Sequence, residues 1–377
     1  MTAVGLIFTN IHDNSIPELT RLRTTASIPF GARYRLIDFM LSNMVNSDII
    51  KVGIITHNNY QSLLDHLETG KDWDLARRSG GIKLLPPNIT SFANAGTGRA
   101  QSSRLDALMG AVSFISRCHE DYVVMSDCDI ICNIDLQKVI AAHVESGAEI
   151  TFVTKQSDLT GYTSAEKLPV IEADETGRVI DFSERKTFRG ITRVYTNIMV
   201  MKRTYLLNIV QDAIAHGYTS FLYDIVLRNM KNSDFRVYDF DGWYDHIGSM
   251  EEYFSSSMKL LTSEAREGLF GVKNHPILTK VRNSAPTRYL DGASVKNSVV
   301  ADGCVIEGTV ENSIIFRGVK VCRGAVVKNS ILFQDTYVCE NASLNCVIAD
   351  KNVTIKDGRN LSGHESMPFY IGKKITV

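Results

Sequence analysis

The sequence predicts an α/β chain in which a doubly wound, Rossmann-like domain is followed by a left-handed parallel β-helix. Two observations lead to this prediction. Short apolar runs alternate with stretches of helical periodicity up to residue 258, and an aliphatic residue then returns about every six positions. The chain has 377 residues, of which 44% are hydrophobic, so it is long enough for two hydrophobic cores.

The first predicted domain spans residues 1–258. Its apolar runs are predicted to be strands, and they lie at 4–8, 51–56, 122–127, 148–155 and 197–201. Helical periodicity marks residues 38–48 and 103–117, and a hairpin is predicted over 172–182 with its turn at 174–177. This alternation favours a mostly parallel sheet with helices on both faces. Residues 259–284 are predicted to form a helix and a linker.

The second predicted domain spans residues 285–377 and carries a repeat. Asn-Ser or Asn-Cys followed by two apolar residues recurs at positions 297, 312, 329 and 345. Aliphatic residues return between these marks at Val300, Ile306, Ile315, Val321, Val327, Val338 and Leu344. Each triangular coil of a left-handed β-helix has three short sides, and one inward aliphatic residue from each side fills the axis. The six-residue return therefore favours a β-helix over a β-sandwich, which would alternate by two.

Composition and charge exclude several classes of function. The chain carries 41 Lys and Arg against 42 Asp and Glu, so no excess of positive charge favours nucleic acid. No apolar run approaches the roughly 18 residues that cross a membrane, and the N-terminus lacks the pattern of a signal peptide, so we expect a cytoplasmic protein. The seven cysteines lie mostly in apolar runs and are expected to be reduced and buried. Cys128, Cys132 and His119 are too incomplete a ligand set to predict a metal site.

Several motifs resemble one enzyme family in their order along the chain. The segment SIPFGARYRLIDFMLSNMVNSDIIKVGIIT, residues 27–56, closely resembles the signature of bacterial ADP-glucose pyrophosphorylases, which join glucose-1-phosphate to ATP for glycogen synthesis. Further matches are WDLARRSGGIKLLPP (73–87), DFSERK (181–186), SFLYDIV (220–226) and WYDHIGSMEEY (243–253). The resemblance covers nearly the full chain and implies a nucleotidyltransferase domain followed by a left-handed β-helix.

The resemblance also implies that the phosphate loop is degenerate. Catalytic members read Ala-Gly-Gly-x-Gly-Thr-Arg, where this chain has TNIHDNS over residues 9–15. Ile11 and Asp13 replace glycines, Ser15 replaces the arginine, and Thr25 replaces the phosphate-binding lysine of the family's Ala-Lys-Pro segment. Asp13 adds a negative charge, and one such charge about 4 Å from a phosphate costs on the order of 4 kcal/mol at an effective dielectric of about 20. The loop is therefore predicted to be unsuited to ATP.

Of the other positions that the resemblance aligns with functional residues of the family, some are retained and some are replaced. One acidic metal ligand is retained as Asp129, but the second falls on His246, which weakens or abolishes a Mg²⁺ site. No cofactor is therefore expected, and Mg²⁺ would be needed only if the chain were catalytic. Glu184 matches the family's sugar-contacting glutamate and Arg185 replaces its phosphate-binding lysine, while Asp106 is a further vestigial position. These residues also have structural interpretations, because the aspartates could cap helices and Glu184 with Arg185 could be a surface pair.

Basic residues cluster near the loop at Arg21, Arg23, Arg33 and Arg35. They form either a solvated or interfacial basic face or an anion site, because phosphorylated effectors bind basic residues in this family.

The resemblance implies a regulatory, non-catalytic D-type subunit that accompanies a catalytic subunit, typically in a heterotetramer. Segments that determine the fold are intact, whereas glycines, an arginine, a lysine and an aspartate are replaced together. One alternative is a competent glucose-1-phosphate adenylyltransferase, which would form ADP-glucose alone. Another is an acyltransferase of the hexapeptide type, but the repeats over 291–358 contain no histidine for a general base and His364 lies beyond them.

Overall fold

The computed structural model describes residues 1–11, 13–86 and 103–377. His12, in the predicted phosphate loop, and Pro87, the last residue of the 73–87 match, lie outside the described residues.

The strands of the N-terminal part are β1 (Ala3–Phe8), β2 (Pro29–Phe30), β3 (Tyr34–Arg35), β4 (Lys51–Ile55), β5 (Gly81–Leu85), β6 (Tyr122–Asp127), β7 (Ile130–Cys132), β8 (Ile150–Asp158), β9 (Thr163–Ala173), β10 (Val179–Thr187), β11 (Ile191–Lys202), β12 (Phe235–Asp239) and β13 (Tyr244–His246). Its α-helices are α1 (Pro17–Thr20), α2 (Leu36–Asn46), α3 (Gln61–Leu67), α4 (Arg104–Ser116), α5 (Leu136–Ser146), α6 (Arg203–His216), α7 (Met250–Lys259) and α8 (Ser263–Phe270). Short 3₁₀ turns span Thr25–Ser27 and Lys71–Trp73, and Phe221–Leu227 is π-helical.

Nine strands build one mixed sheet, whose path runs β10-β9-β11-β6-β1-β4-β5, with β8 pairing to β11 and to β12. Strands β6, β1, β4 and β5 are parallel, and β11 is antiparallel to β6. The chain moves outward from β1 to β4 and β5 and then returns to β6 on the other side of β1. The predicted doubly wound order is thus confirmed, and it reverses between β1 and β6, where such sheets bind ligands beyond their strand ends.

The apolar character of β1 explains its central place. All six residues are buried, because helices cover both faces of the sheet. Gly5 lies against α2, where an added Cβ would stand 2.3 Å from Met44 Sδ, so glycine allows the close packing of helix on strand. The predicted hairpin is confirmed as β9 and β10, and the N–H of Gly177 donates to the carbonyl of Asp174 at 3.0 Å in its turn.

The C-terminal part is a parallel β-helix. Its strands are β14 (Arg288–Tyr289), β15 (Ser294–Lys296), β16 (Val299–Val300), β17 (Val305–Ile306), β18 (Thr309–Glu311), β19 (Ile314–Ile315), β20 (Lys320–Val321), β21 (Val326–Lys328), β22 (Ile331–Leu332), β23 (Tyr337–Val338), β24 (Ser343–Asn345), β25 (Val347–Ala349), β26 (Thr354–Ile355), β27 (Asn360–Ser362) and β28 (Phe369–Ile371). Every third strand pairs in parallel, which gives three five-stranded faces. The fold is the predicted left-handed β-helix.

The predicted inward residues fill its axis. Ile306, Ile315, Val321, Val327, Val338 and Leu344 are all 0–1% exposed. Val300 is half-buried, because it lies on the first coil and has a neighbouring coil on one side only.

The length of a coil varies, which the six-residue rule does not anticipate. Val299 pairs with Ile314 and Ile314 pairs with Ile331, so these two coils are 15 and 17 residues long. Asn297, Asn312 and Asn329 occupy the corners with left-handed φ angles of 41°, 47° and 46°. On the next coil that corner is Cys346 at 52°, and Asn345 stands one position earlier. Asparagine suits such corners because it tolerates left-handed backbone.

The two parts share an apolar core. Phe30, Leu36 and Tyr253 of the N-terminal part pack in one buried cluster with Phe316 and Phe333 of the β-helix. The rings of Tyr253 and Phe333 meet edge to face with centroids 6.3 Å apart, and the Tyr253 hydroxyl donates to the Pro29 carbonyl at 2.6 Å. The β-helix is therefore fixed against the sheet domain.

Candidate functional site

The candidate site lies at the carboxyl ends of β1 and β6, where the strand order of the sheet reverses. Three segments meet there: the loop after β1, the connection between β6 and β7, and the end of β13. Strand β13 pairs antiparallel with β7, which brings His246 opposite Ile130, the residue that follows Asp129. Residues far apart in the sequence thus line one cleft.

The loop after β1 is fastened to the protein by its own side chains. Asp13 Oδ1 accepts hydrogen bonds from the backbone N–H of Thr25 at 2.7 Å and from its hydroxyl at 2.8 Å. The Thr20 hydroxyl donates to the Asp13 carbonyl at 2.6 Å. Two predicted degenerate positions, Asp13 and Thr25, are therefore bonded to each other, and the carboxylate satisfies an N–H at the start of the 3₁₀ turn.

Ile11 and Ser15 also turn towards protein. Ile11 is half-buried and packs against the apolar cluster on one face of the sheet. Ser15 is half-buried in the turn before α1. A cleft of about 220 Å³ remains between this loop and the start of α4, lined by Phe8, Asn10, Ile11, Asp13, Asn14, Ile55, Thr56, His57, Asn58, Ser103 and Ala107.

His246 lies between two carboxylates. Its Nε2 is 3.0 Å from Asp129 Oδ2, and its Nδ1 is 3.5 Å from Glu252 Oε2. Asp129 is fully buried, and the amide of Asn197 also donates to its Oδ2 at 3.3 Å. Glu252 in turn accepts hydrogen bonds from the N–H of Gly248 at 2.8 Å and the hydroxyl of Tyr162 at 2.7 Å. An imidazole thus stands between two fixed anions.

The charges of this cluster change its pKa values. Burial alone lowers the pKa of His246, but the hydrogen bonds and negative charges of Asp129 and Glu252 outweigh it and raise that pKa to about 10. Burial raises the pKa of Glu252, yet the hydrogen bond and charge of His246 prevail and lower it to about 2. At neutral pH the cluster is therefore an imidazolium held by carboxylates.

The residues present do not fit a magnesium ion. The Oδ2 of Asp129 accepts a hydrogen bond from the His246 ring, and a protonated imidazole has no lone pair to offer a metal. Among the described residues, no group of three His, Cys, Asp or Glu side chains is arranged to hold a metal ion.

Sequence reasoning missed two residues of this cleft. Arg104, the first residue of α4, donates from Nη2 to Asp127 Oδ2 at 2.5 Å, and its guanidinium lies 5.6 Å from the Phe8 ring centroid. Asn197 adopts a left-handed φ of 59° where the pairing of β11 with β8 shifts, and this irregularity turns its amide towards Asp129. Neither has a sequence motif, and only the helix start after Ser103 could have indicated Arg104.

The residues predicted to be vestigial substrate contacts lie at different places in the structure. Asp106 lies in the first turn of α4, where its N–H donates to the hydroxyl of the N-cap residue Ser103 and its Oδ2 accepts from that hydroxyl at 2.9 Å, so Asp106 supports the cap of α4. Glu184 lines a second cleft, of about 270 Å³, together with Arg104 and His246. Arg185 instead pairs with Glu172 at 2.7 Å in a separate groove. Asp129 and Glu184 are thus brought to one site, whereas Arg185 is not.

Of the four basic residues predicted to form a basic face or an anion site, two are exposed and two are buried. Arg21 and Arg33 are exposed. Arg23 is 3% exposed and donates from Nη2 to both carboxylate oxygens of Asp350 in the β-helix, at 2.8 and 2.6 Å. Arg35 is also buried, and burial lowers its pKa to about 10. Two of the four therefore lie where the domains meet.

A fifth basic residue, Lys351, was not predicted. It follows Asp350 in the β-helix and is half-buried. Burial and the positive charges of Arg35 and Arg23 lower its pKa to about 6. The Nη1 of Arg23 has no hydrogen-bond partner among the described residues. Asp350 is the carboxylate that faces Lys351, and Asp38 and Asp65 act on Arg35.

Comparison with known proteins agrees with this architecture. The nucleotidyl transferase family model matches residues 16–263, and a GlmU-like C-terminal hexapeptide model matches residues 286–366. Within the described ranges, none of the helices combines the length and the apolar character that crossing a membrane requires.

Comparison with individual proteins narrows the family further. The glycogen biosynthesis protein GlgD of Bacillus subtilis is 34% identical over 98% of this chain and 95% of its own length. GlgD of Geobacillus stearothermophilus is also 34% identical, over 86% of this chain and 82% of its own. A glucose-1-phosphate adenylyltransferase of Geobacillus stearothermophilus is 29% identical over 86% of this chain and 82% of its own. The chain belongs to the nucleotidyl transferase family, and within it to the family that contains GlgD proteins and glucose-1-phosphate adenylyltransferases.

Proposed function

We propose that this chain is a regulatory subunit without catalytic activity of its own, which raises the activity of a catalytic ADP-glucose pyrophosphorylase subunit in glycogen biosynthesis in the cytoplasm. The observation that carries the proposal is the placement of His246. Its Nε2 lies 3.0 Å from Asp129 Oδ2, so a side-chain cation already occupies the carboxylate that a substrate-bound cation would need. No cofactor is required for the role proposed.

The loop after β1 supports the same proposal. A polyphosphate is bound by backbone N–H groups and cations, but here the Asp13 carboxylate already takes the N–H and hydroxyl of Thr25. Arg104 is neutralised by Asp127. Protein groups therefore satisfy one another at the positions where a nucleotide would need free partners.

Relatives supply a reason for two subunits. Geobacillus stearothermophilus has both a GlgD protein and a glucose-1-phosphate adenylyltransferase, and both resemble this chain over most of its length. A protein that keeps the fold while its own side chains occupy the binding positions of the cleft can still pair with an enzyme of the same shape. We propose a hetero-oligomer, in the form of a heterotetramer, because related subunits pack with closed symmetry.

The first coil of the β-helix is the surface we assign to the catalytic subunit. Val295 and Val300 are half-buried, whereas Val310 and Ile315, which pair with them on the next coil, are 0% exposed. Strands β14, β15 and β16 each end their sheet, so their outer backbone groups have no strand beside them. An open edge with an apolar centre favours docking of another chain. Activation follows if the partner's active state binds this surface more tightly than its inactive state.

A second role is supported by the basic cluster between the domains. Arg23, Arg35 and Lys351 approach one another from two domains, and one hydrogen-bonding nitrogen of Arg23 is unused among the described residues. Such a cluster fits a phosphorylated small molecule, whose charge would offset the crowded cations. We propose that a phosphorylated effector binds here and changes how the domains meet.

The test measures ADP-glucose formed from ATP, glucose-1-phosphate and Mg²⁺. It compares this chain alone, the glucose-1-phosphate adenylyltransferase of the same organism alone, and the two mixed. We expect no product from this chain alone and a higher rate from the mixture than from the enzyme. Turnover by this chain alone would instead identify an adenylyltransferase, and an unchanged rate in the mixture would refute a regulatory role.

A matched pair of variants tests the docking surface. Val300→Asp places a charge at the axis on the first coil, and Leu361→Asp places the same charge at the axis on the last coil, where Leu361 is also half-buried against the β-helix core. We expect Val300→Asp to abolish activation in the mixture and Leu361→Asp to retain it. An equal loss of activation in both variants would show that the interface lies elsewhere.

A further inference from the structure

Two cysteines far from the cleft occupy the same position on consecutive coils of the β-helix. Strands β20 and β23 pair in parallel with Val321 opposite Val338. Cys322 and Cys339 are the next residue along each strand, and the N–H of Cys322 donates to the Val338 carbonyl at 2.9 Å. Neighbouring strands stand about 4.8 Å apart. That spacing lies within the roughly 4.4 to 6.8 Å that separates the Cα atoms of a disulfide.

Both thiols lie on the outer side of the β-helix. Val321 and Val338 point into the axis and are 0–1% exposed, so the alternation of a strand directs the next residue outward. Cys322 and Cys339 are half-buried, whereas Cys304, on the preceding coil, is buried. A small oxidant can therefore reach the pair without unfolding of the coil.

We propose that Cys322 and Cys339 are a modification site, at which a peroxide oxidises the two stacked thiols to a disulfide that joins consecutive coils. In the first step the Cys322 thiolate attacks one peroxide oxygen, the S–O bond forms, the O–O bond breaks, and the released hydroxide takes a proton to become water. In the second step the Cys339 thiolate attacks the sulfenic sulfur, the S–S bond forms, and the sulfenic oxygen leaves as water. Two thiols are oxidised and one peroxide is reduced to two waters.

The surroundings of the pair set the order of the steps. Burial and the negative charge of Asp357 raise the pKa of Cys339, which disfavours its thiolate. We assign the first attack to Cys322 and the resolving step to Cys339. The strand spacing of about 4.8 Å exceeds the roughly 3.8 Å between the Cβ atoms of a relaxed disulfide, so we expect cellular thiols to reduce the bond readily. Reversibility is what distinguishes a redox-sensing pair from a structural one.

The test treats the full chain with hydrogen peroxide, blocks free thiols and maps tryptic peptides without reduction. Trypsin releases Cys322 in residues 321–323 and Cys339 in residues 329–351, so a bridge joins two separate peptides. Because Cys346 shares the second peptide, fragmentation must assign the linked sulfur. We expect a Cys322–Cys339 link, intact mass lower by two hydrogens, and loss of both changes on addition of dithiothreitol.

Variants separate the two thiols. Cys339→Ser should leave a sulfenic acid on Cys322 that dimedone traps, and Cys304→Ser should form the link as the parent chain does. Oxidation of the parent chain that yields only sulfinic acids, a link through Cys346, or dimers between chains would overturn the proposal. If a variant fails to fold, peptide mapping of the oxidised parent chain is sufficient to test the proposal.

Discussion

At the scale of single residues, His246 sets the character of the cleft. A side-chain cation stands between Asp129 and Glu252, so the two anions are neutralised by the polypeptide itself. Removing one partner of a buried ion pair leaves the other charged and desolvated, which is costly. The contribution of His246 to folding is therefore measurable apart from any partner.

We expect His246→Gln to lower the free energy of unfolding by about 3 kcal/mol, because Asp129 loses its cation. The matched control is His216→Gln, which removes an exposed histidine paired with Asp212 at 3.0 Å on one helix. Exposed pairs contribute less than about 1 kcal/mol, so the control should change little. Urea unfolding at neutral pH compares the two variants, and similar losses would show that the cluster is not an ion pair.

The pKa values of this cluster predict a plateau of stability. The pKa of His246 is raised from 6.5 to about 10, so its contribution is complete below pH 6.5 and is lost as the pH rises to 10. The pKa of Glu252 is lowered from 4.5 to about 2, so its contribution is complete above pH 4.5 and is lost towards pH 2. Unfolding free energy measured against pH should be steeper on the alkaline side in the parent chain than in His246→Gln. Parallel curves would contradict this assignment.

At the scale of elements, the sequence predicted the regular features and missed the irregular ones. Strands such as β6 follow from unbroken apolar runs, and the β-helix follows from its aliphatic return. The marks at 297, 312 and 329 already show coils of 15 and 17 residues, as the pairing does. The mark at 345 falls one residue short, because Ile331 pairs with Ile348 and the corner on that coil is Cys346. The contact between Asp13 and Thr25 depends on how the loop folds back, which spacing alone does not encode. Asn197 likewise depends on an irregularity of β11.

The corner residues of the β-helix allow a matched comparison. Asn329 and Asn345 share one hydrogen bond at 2.9 Å, but only Asn329 of this pair has a left-handed φ, at 46°. Alanine at either position removes this bond, and Asn345→Ala also removes a longer one, of 3.4 Å, from the Asn345 amide to the Ser362 hydroxyl. We expect Asn329→Ala to destabilise the chain by about 1 kcal/mol more than Asn345→Ala, because alanine is strained in left-handed backbone. Thermal unfolding of the two variants gives the difference, and equal midpoints would mean that the corner conformation costs nothing.

At the scale of the whole molecule, the sheet domain and the β-helix meet through apolar and charged contacts. Aromatic packing around Tyr253 joins them, and the Arg23–Asp350 pair crosses the same boundary. A shift at this boundary would therefore move the first coil relative to the sheet. Binding of an anion beside Arg23 would act on both domains at once.

We expect binding of a phosphate ester to this cluster to be accompanied by proton uptake. Lys351 has its pKa lowered to about 6 while Arg35, Arg23 and Lys373 face it with Asp350, so at pH 8 it is largely neutral. An anion raises that pKa, and the lysine takes up a proton. Calorimetric titration with fructose-1,6-bisphosphate in buffers of different ionisation enthalpy measures the uptake.

Two lysine variants test whether the anion binds beside Lys351. Lys351→Met should remove the proton uptake and weaken binding about tenfold, whereas Lys356→Met, at an exposed position on the same coil, should leave both unchanged. Binding of equal strength in both variants would place the anion elsewhere.

The positive charge between Asp129 and Glu252 is part of the polypeptide, so it does not depend on ions taken up from the cell. An ion drawn from solution is present only in proportion to its free concentration, and a chelator or a competing polyphosphate can strip it away. A charge carried on a side chain is made with the polypeptide at a ratio of one per molecule and is removed only by alkali. The shape of this cleft is thus uncoupled from fluctuations in free magnesium. A regulatory subunit of the kind proposed would present a constant surface while a catalytic partner responds to the ionic state of the cell.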